Sequence, residues 1–443
     1  MRPLESLTFE ALVALLRAHF NSVADHRDPQ RLSYRLRDQL LAAYAVFFFQ
    51  HPSLLEFQQQ LQKKKGRNNL ATLFGVEEVP SATQLRANLD EVACAEVRPL
   101  LPVLFEKMRR AGWATQFRSE VSSGGDAGKY YVVAVDGTAY FDSTAIQCEN
   151  CLRREDGAGA VHYWHLAVGA TIVRAGSHRI LPLDAEMSSP QDGHEKQDCE
   201  SAAAKRLVRR IRREHPQLKL IVTADDLHAH VPFVLLCEEL RLKYVVVCKP
   251  TSHEETFEWV AELERMGENE RVQWSVGAAC QRQHFEARIV RSVPLRADDA
   301  VSATLVEVWQ KNKAGEVVYH NSWVTNLEVR RENVAEVVSI GRAKWKIENE
   351  QFNVQKNGGY HLEHNFGHGQ QNLSAVFYYL NLAAYVSHLI LSLGCRLFGA
   401  VAGRAGSRKR LWQDIRALVS YFVWDDWKAL LSQMLDDTVA ASP

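Results

Sequence analysis

The chain has 443 residues, 46% hydrophobic and 24% charged, which is the balance of an ordinary globular protein and too apolar for a disordered one. Lys+Arg and Asp+Glu both number 53, so net charge draws it to no polyanion, and any such partner must be met by local basic patches. A chain this long can bury a large core and is a soft prior for about three domains.

The first twenty residues, "MRPLESLTFEALVALLRAHF", form an amphipathic pattern interrupted by Glu5, Glu10 and Arg17. They lack the unbroken apolar stretch of a signal peptide, so a cytoplasmic home is expected rather than secretion. Eight cysteines (94, 148, 151, 199, 237, 248, 280 and 395) are scattered, mostly inside apolar runs, as reduced buried thiols are. Residues 1–117 read as helices, with apolar residues at three and four spacing in "FEALVALLRAHF" and "QLLAAYAVFFF". Ser81 with Gln84 makes a capping box just after Pro80. Lys63, Lys64, Lys65 and Arg67 form either a solvated helix end or a phosphate contact. Residues 118–128, "RSEVSSGGDAG", have linker composition.

From residue 129 to 249 the pattern changes. "YYVVAVDGTAYF" is a β-rich run whose apolar part ends at Asp136, and "HLAVGATIV" and "HRILPLDA" read as two further strands. "EKQDCESAAAKRLVRRIRREHP" follows as a helix with Ala203, Leu207 and Ile211 on one stripe. "LKLIVTADD" is a buried strand ending at Asp225 and Asp226, and a helix "VPFVLLCEELRL" leads to the strand "KYVVVCKP". Three strands, helix, strand, helix, strand predict a mixed α/β sheet with helices on its faces. Residues 250–330 read as a β-rich insertion, with "NKAGE" as a hairpin turn. A helix starting near Asn333 belongs to 331–369, and 370–443 is again helical. Within it, 373–403 is long and apolar enough to raise a membrane span, but Asn381, Ser387 and His388 interrupt it, so a buried helix and no membrane partner are expected. No internal repeat is visible.

Asp136 and Asp225 both stand where an apolar strand runs out, and the carboxyl-end rim of an open α/β sheet is where ligands bind. Either alone reads first as a turn residue or a helix cap, and it is a third acidic element that changes this. The third acidic element is "RAKWKIENEQFNVQK", in which Glu348 and Glu350 point to nearly opposite sides of a helix. Lys344, Glu348 and Gln355 fall in one row, with Trp345 and Phe352 beside it, whereas Glu350 shares the other side with Lys346 and Val354. Glu348 is therefore the candidate, and Glu350 a structural charge.

These segments, "AVDGT" around Asp136, "VTADDLHAH" around Asp225 and "KWKIENEQFNVQKNGGYHLEHNFGHG" around Glu348, resemble the DDE transposases of bacterial insertion sequences, in the branch with a "YREK" glutamate helix, over residues 129 to 369. The resemblance implies a ribonuclease-H-like core with a β-rich insertion before the glutamate helix, and an enzyme that cleaves double-stranded DNA at element ends and joins them to a target, as a homodimer on DNA. It also implies that Asp136, Asp225 and Glu348 hold two Mg²⁺ ions, hard cations suited to carboxylate oxygens. Where the signature has a tyrosine and an arginine, this chain has Gly341 and Lys344; the signature lysine is Gln355, with Lys356 one step on. Lysine cannot make arginine's bidentate fork, so a hairpin intermediate is left open. The choice of Asp225 over its neighbour Asp226 is open too. Lys344, Lys356, Arg206, Arg209, Arg210 and Arg213 are candidate phosphate contacts, set against a solvated-surface reading. Arg404, Arg408, Lys409 and Arg410 carry the same two readings. Trp309 and Trp323 read as strand core or as wedges against a displaced base. Two other functions remain: an inactive DNA-binding protein derived from a transposon, and a ribonuclease-H-like repair or resolving nuclease.

"CENC" (Cys148, Cys151) followed by "HYWH" (His162, His165) has the donor types for structural Zn²⁺. Residues three apart on a strand face opposite ways, so His165 alone of the two histidines is retained, with Cys199 as the fourth ligand. Two unrelated thiols are the alternative.

Overall fold

The computed structural model describes residues 8–436 apart from 26, 63–67, 124–125, 193–195, 279–281 and 296–300. The basic run at 63–67 and Cys280 thus lie outside the described residues.

Among the described residues eleven strands form one mixed sheet: β1 (Ser119–Ser123), β2 (Asp126–Ser143), β3 (Leu152–Glu155), β4 (Val161–Val173), β5 (Leu181–Met187), β6 (Leu220–Ala224), β7 (Lys243–Val247), β8 (Glu270–Val276), β9 (Gln283–Pro294), β10 (Ser302–Lys311) and β11 (Val317–Thr325). At its centre the order is β5-β4-β2-β6-β7. Strands β6 and β7 run parallel to β2, and β4 is antiparallel to both β2 and β5. The β-rich segment does not form a separate layer. Strand β11 pairs antiparallel with β7, and β10, β9 and β8 continue the same sheet outward. The "NKAGE" turn closes as expected, with Asn312 and Glu316 hydrogen-bonded between β10 and β11. The expected linker is instead mostly strand, because Ser119–Ser123 pairs with Asp126–Tyr130 as a hairpin.

Alternation along β2 divides the core. Tyr131, Val133 and Val135 face the helix Lys196–Glu214, whose Ala203, Leu207 and Ile211 are buried as the stripe predicts. Val132 and Ala134 face the helix Val334–Ala343 together with Ile347 and Phe352.

The N-terminal and C-terminal helical regions, far apart in sequence, pack into one body. The helix Leu36–Phe48 lies along the helix Leu373–Gly394, and both are buried over most of their length. Polar links lock the join: Asn69 Nδ2 donates to the carbonyls of Val419 and Phe422 at 2.8 and 2.7 Å, and Arg416 donates to the carbonyl of Gln50 at 2.9 Å. Asp90, at the end of the helix Ala82–Asp90, accepts from the backbone N–H groups of Gln370, Gln371, Asn372 and Leu373, so a carboxylate sits on the exposed donors that open the long helix. That helix is long and apolar enough to cross a membrane, yet protein covers most of its surface. Ser81 caps the Ala82–Asp90 helix through the Gln84 N–H, as the sequence predicts.

His388 ties the two regions together. It is buried, with Nδ1 2.6 Å from the Tyr360 hydroxyl and Nε2 2.9 Å from the Phe48 carbonyl. A carbonyl only accepts, so Nε2 carries the proton and Nδ1 accepts from the hydroxyl. Burial, with the Arg408 charge second, holds its pKa well below 6.5. A depressed pKa makes the contribution full above the unfolded value and lost as pH falls below it, at about 1.4 kcal/mol per pH unit. Urea unfolding between pH 7.5 and 5 is therefore expected to show a falling stability whose slope is shallower in His388→Gln; equal slopes would count against this role.

Candidate functional site

The site forms where β2 and β6 part. The two pair only as far as Ala134 and Thr223, and β6 stops at Ala224. Strand β2 does not end at Asp136, contrary to the sequence reading. It runs on to Ser143 with Asp136 opposite Gly169 of β4, so the aspartate is exposed to a site because its other neighbour has left. Asp225 follows β6 directly.

Lys344 bridges these carboxylates, its Nζ 3.0 Å from Asp136 Oδ2 and 4.0 Å from Asp225 Oδ2. Asp136 is buried, and its pKa is raised, first by burial. The Lys344 ammonium opposes that shift, while the charges of Asp225 and Glu348 add to it. Glu348 is exposed, close enough to be felt by Asp136 but outside the close-packed donor groups found among the described residues.

The neighbouring acids are occupied elsewhere. Asp226 accepts from the Lys249 N–H at 2.6 Å and from the Ser252 hydroxyl, with His253 Nε2 at 3.4 Å. Glu350 pairs with His178 at 3.2 Å, and its carbonyl accepts from the Tyr385 hydroxyl at 2.8 Å. Asp225 and Glu348 are the acids whose charge bears on Asp136.

The glutamate segment is not a regular helix. Residues Ile347–Phe352 make a π-helical turn in which the Asn353 N–H reaches back five residues to the Glu348 carbonyl. This wider turn breaks the predicted row. Gln355 is buried and donates to Asn381 Oδ1 at 3.1 Å, while the Thr171 hydroxyl of β4 donates to Gln351. Lys356 stays near β2, donating to the Ala139 carbonyl at 2.8 Å and pairing with Glu363 at 2.8 Å.

A second group, missed in the sequence, lies on the other side of Asp225. Glu200, Asp225 and His228 bring donor atoms within 4.8 Å of one another. His228 Nε2 is 3.9 Å from both Glu200 Oε1 and Asp225 Oδ1. Burial lowers the His228 pKa to about 4, leaving a neutral imidazole. Among the described residues, both its ring nitrogens and Asp225 Oδ1 are buried without a hydrogen-bond partner, as donors prepared for a cation would be. Glu200 reaches the sheet because residue 137 is glycine: a Cβ there would lie 2.5 Å from the glutamate carboxylate. Its signal was a charged residue on an apolar stripe, with Ala203, Ala204 and Leu207 three, four and seven positions on.

The arginine candidates divide. Arg206 binds Glu186 and Asp192, and Arg210 binds Asp184 and Glu186, so these guanidiniums are committed within the protein. Arg98 joins the same network, 3.0 Å from buried Asp184 and 2.6 Å from Glu214. Arg209 and Arg213 remain exposed. Trp323 is fully buried, and Trp309 stacks on His320 at 5.3 Å.

The predicted sulfur site is partly redrawn. Cys148, Cys151 and His165 converge, but the fourth member is His368. Cys199 belongs instead to a small apolar cluster with Leu152, Trp164 and Leu166. His162 points the other way, to Asp142 at 2.7 Å.

A comparison with models of known protein families gives no match, and neither does one with curated proteins.

The Lys344 bridge has a measurable energetic consequence. In metal-free protein Lys344→Met is expected to destabilise by about 2–3 kcal/mol, less than the ~3–5 kcal/mol of a fully buried pair because both groups keep some solvent. Adding Asp136→Asn should recover most of that loss in a double-mutant cycle of urea unfolding; simple additivity would mean that packing, not charge, held Lys344 there.

Proposed function

We propose that this chain is a DNA transposase with a ribonuclease-H-like catalytic core, cutting at the ends of a mobile element and joining them to target DNA. The observation that carries the reading is one juxtaposition. Two aspartates stand at the parting of adjacent parallel strands β2 and β6, and a helical segment bearing Glu348 is laid over β2 and β4 at that point. The central order β5-β4-β2-β6-β7 with only β4 reversed, and a β-rich segment before the glutamate helix, support the same core.

The residues fit hard cations. The donors are carboxylate oxygens, one of them buried and without a partner among the described residues, and the Lys344 ammonium stands between two of them in the place of a positive ion. Asp136, Asp225 and Glu348 would hold Mg²⁺, with Glu200 and His228 supporting Asp225 from its other side. Bound Mg²⁺ supplies an acidified water and neutralises charge on the scissile phosphate. Lys344 keeps the two aspartates from repelling each other in the free protein and is the cation nearest to where a phosphate would sit. Exposed Arg209 and Arg213 are further backbone contacts, whereas Arg206 and Arg210 hold the fold and Lys356 is tied to Glu363 and the Ala139 carbonyl. The signature tyrosine has no room here, since a side chain at Gly341 would lie 2.5 Å from the Trp323 indole. That favours direct hydrolysis and strand transfer.

DNA carrying the element's ends, incubated with protein and Mg²⁺, is expected to be cut and joined by wild type. Asp136→Ala and Asp225→Ala should lose at least about 100-fold, Glu348→Gln a comparable amount, and Glu350→Gln no more than a few-fold. Equal cleavage by wild type and Asp136→Ala would remove the mechanism. Cutting of branched DNA irrespective of ends would favour a resolving nuclease, and binding without cutting an inactive derivative.

A further inference from the structure

The four donors from Cys148, Cys151, His165 and His368 come from three distant parts of the chain. The thiols lie in the turn between β2 and β3, His165 is on β4, and His368 is in the loop between the glutamate segment and the helix Leu373–Gly394. Cys151, His165 and His368 are buried and Cys148 half-buried.

The spacing of the donors is informative. Cys148 Sγ and Cys151 Sγ are 3.8 Å apart. Cys148 Sγ is 3.5 Å from His165 Nε2, and Cys151 Sγ is 3.6 Å from His165 Nε2 and 3.3 Å from His368 Nε2. A tetrahedron built on Zn–S of about 2.3 Å and Zn–N of about 2.0–2.1 Å has edges of about 3.8 Å between sulfurs and about 3.5 Å between sulfur and nitrogen. The sulfurs are far beyond the ~2.05 Å of a disulfide. Cys151 Sγ stands within reach of the Cys148 thiol, the Cys148 N–H and both imidazoles, a crowding of soft donors that the weak hydrogen bonding of a thiol gives little reason for.

We propose that Cys148, Cys151, His165 and His368 bind one structural Zn²⁺ in a closed S₂N₂ site. Sulfur and imidazole donors with no carboxylate disfavour Mg²⁺ and Ca²⁺, and four protein ligands leave no position for water or substrate. Binding releases the two thiol protons, so a dication and two thiolates make a neutral unit that the buried surroundings accept at little cost. Aromatic rings fix the imidazoles: Phe141 stacks on His368 at 4.1 Å and Tyr140 on His165 at 5.7 Å. The Cys148 N–H donates to Cys151 Sγ at 3.4 Å, which favours the thiolate.

The ion would join the β2–β4 hairpin to the loop after the glutamate segment. That loop is also held by Lys356–Glu363, by Arg86 on the Phe366 carbonyl, by Asp90 and, from the thiol turn itself, by Asn150 on the Gln371 carbonyl. Zinc thus closes a chain loop of more than two hundred residues, from Cys148 to His368, and sets where the end of the glutamate segment lies against β2.

Metal content tests this apart from any DNA reaction. Untagged protein purified without added metal, analysed by elemental mass spectrometry after exhaustive dialysis, is expected to hold one zinc per chain. Cys151→Ser and His368→Asn should reduce this to near zero, while Cys199→Ser should retain it. Cobalt reconstitution of stripped protein should give the visible bands of tetrahedral S₂N₂ Co²⁺. Should Cys151→Ser fail to fold, the loop variant His368→Asn and the wild-type cobalt spectrum still carry the test. Absence of stoichiometric zinc in wild type even after reconstitution, or full zinc in His368→Asn, would overturn the proposal.

Discussion

Negative charge gathered at the parting of β2 and β6 is the constraint around which this molecule is arranged. Strand β6 stops at Ala224 while β2 continues, so the sheet opens on one side of Asp136 and Asp225 is delivered to the opening. Burial makes the repulsion between these groups costly, and the Lys344 ammonium offsets it. Nearby acids are kept out of the cluster by their own partners, Asp226 by Ser252 and the Lys249 amide, Glu350 by His178. Charge is concentrated at one point and satisfied around it.

The scaffold that holds this arrangement is built from both ends of the chain. The N-terminal helices and the helix Leu373–Gly394 bury each other's apolar faces, and Asp90, Asn69 and His388 supply the polar links across the join. The half-buried network of Arg98, Arg210 and Glu186 around buried Asp184 fastens that body to β5 and to the helix Lys196–Glu214. Arginines that look like a DNA-binding face in sequence thus serve as internal ties, because the strand they pack on presents carboxylates to them. The π-helical turn at Ile347–Phe352 adds a local adjustment, turning Gln351 and Gln355 inward and leaving Glu348 outside.

Donor chemistry separates the two candidate metal regions. Carboxylates with a single neutral imidazole flank the strand parting and suit hard ions, whereas thiols and imidazoles a short way along β2 and β4 suit a borderline-soft one. Both regions draw on β2 and its neighbours, and the loop carrying His368 follows directly on the segment carrying Glu348. A cation in the sulfur site would therefore bear on the geometry of the oxygen site through the chain that connects them.

Local pattern was enough to read the alternation of strands and helices, the cap at Ser81, the hairpin turn at "NKAGE", the buried stripe of Ala203, Leu207 and Ile211, and the place of Asp225 at the end of its strand. Each depends on neighbours within a few positions, and that is where periodicity and turn chemistry act. Other features needed the folded chain. Glu200 and His228 beside Asp225, His368 in place of Cys199, the fusion of the two helical regions and the ion-paired fate of Arg206 and Arg210 all depend on residues tens to hundreds of positions apart. Sequence names the donors a residue type can offer; which of them share a point in space is set by how strands pair and faces are buried, and no local signal carries that information.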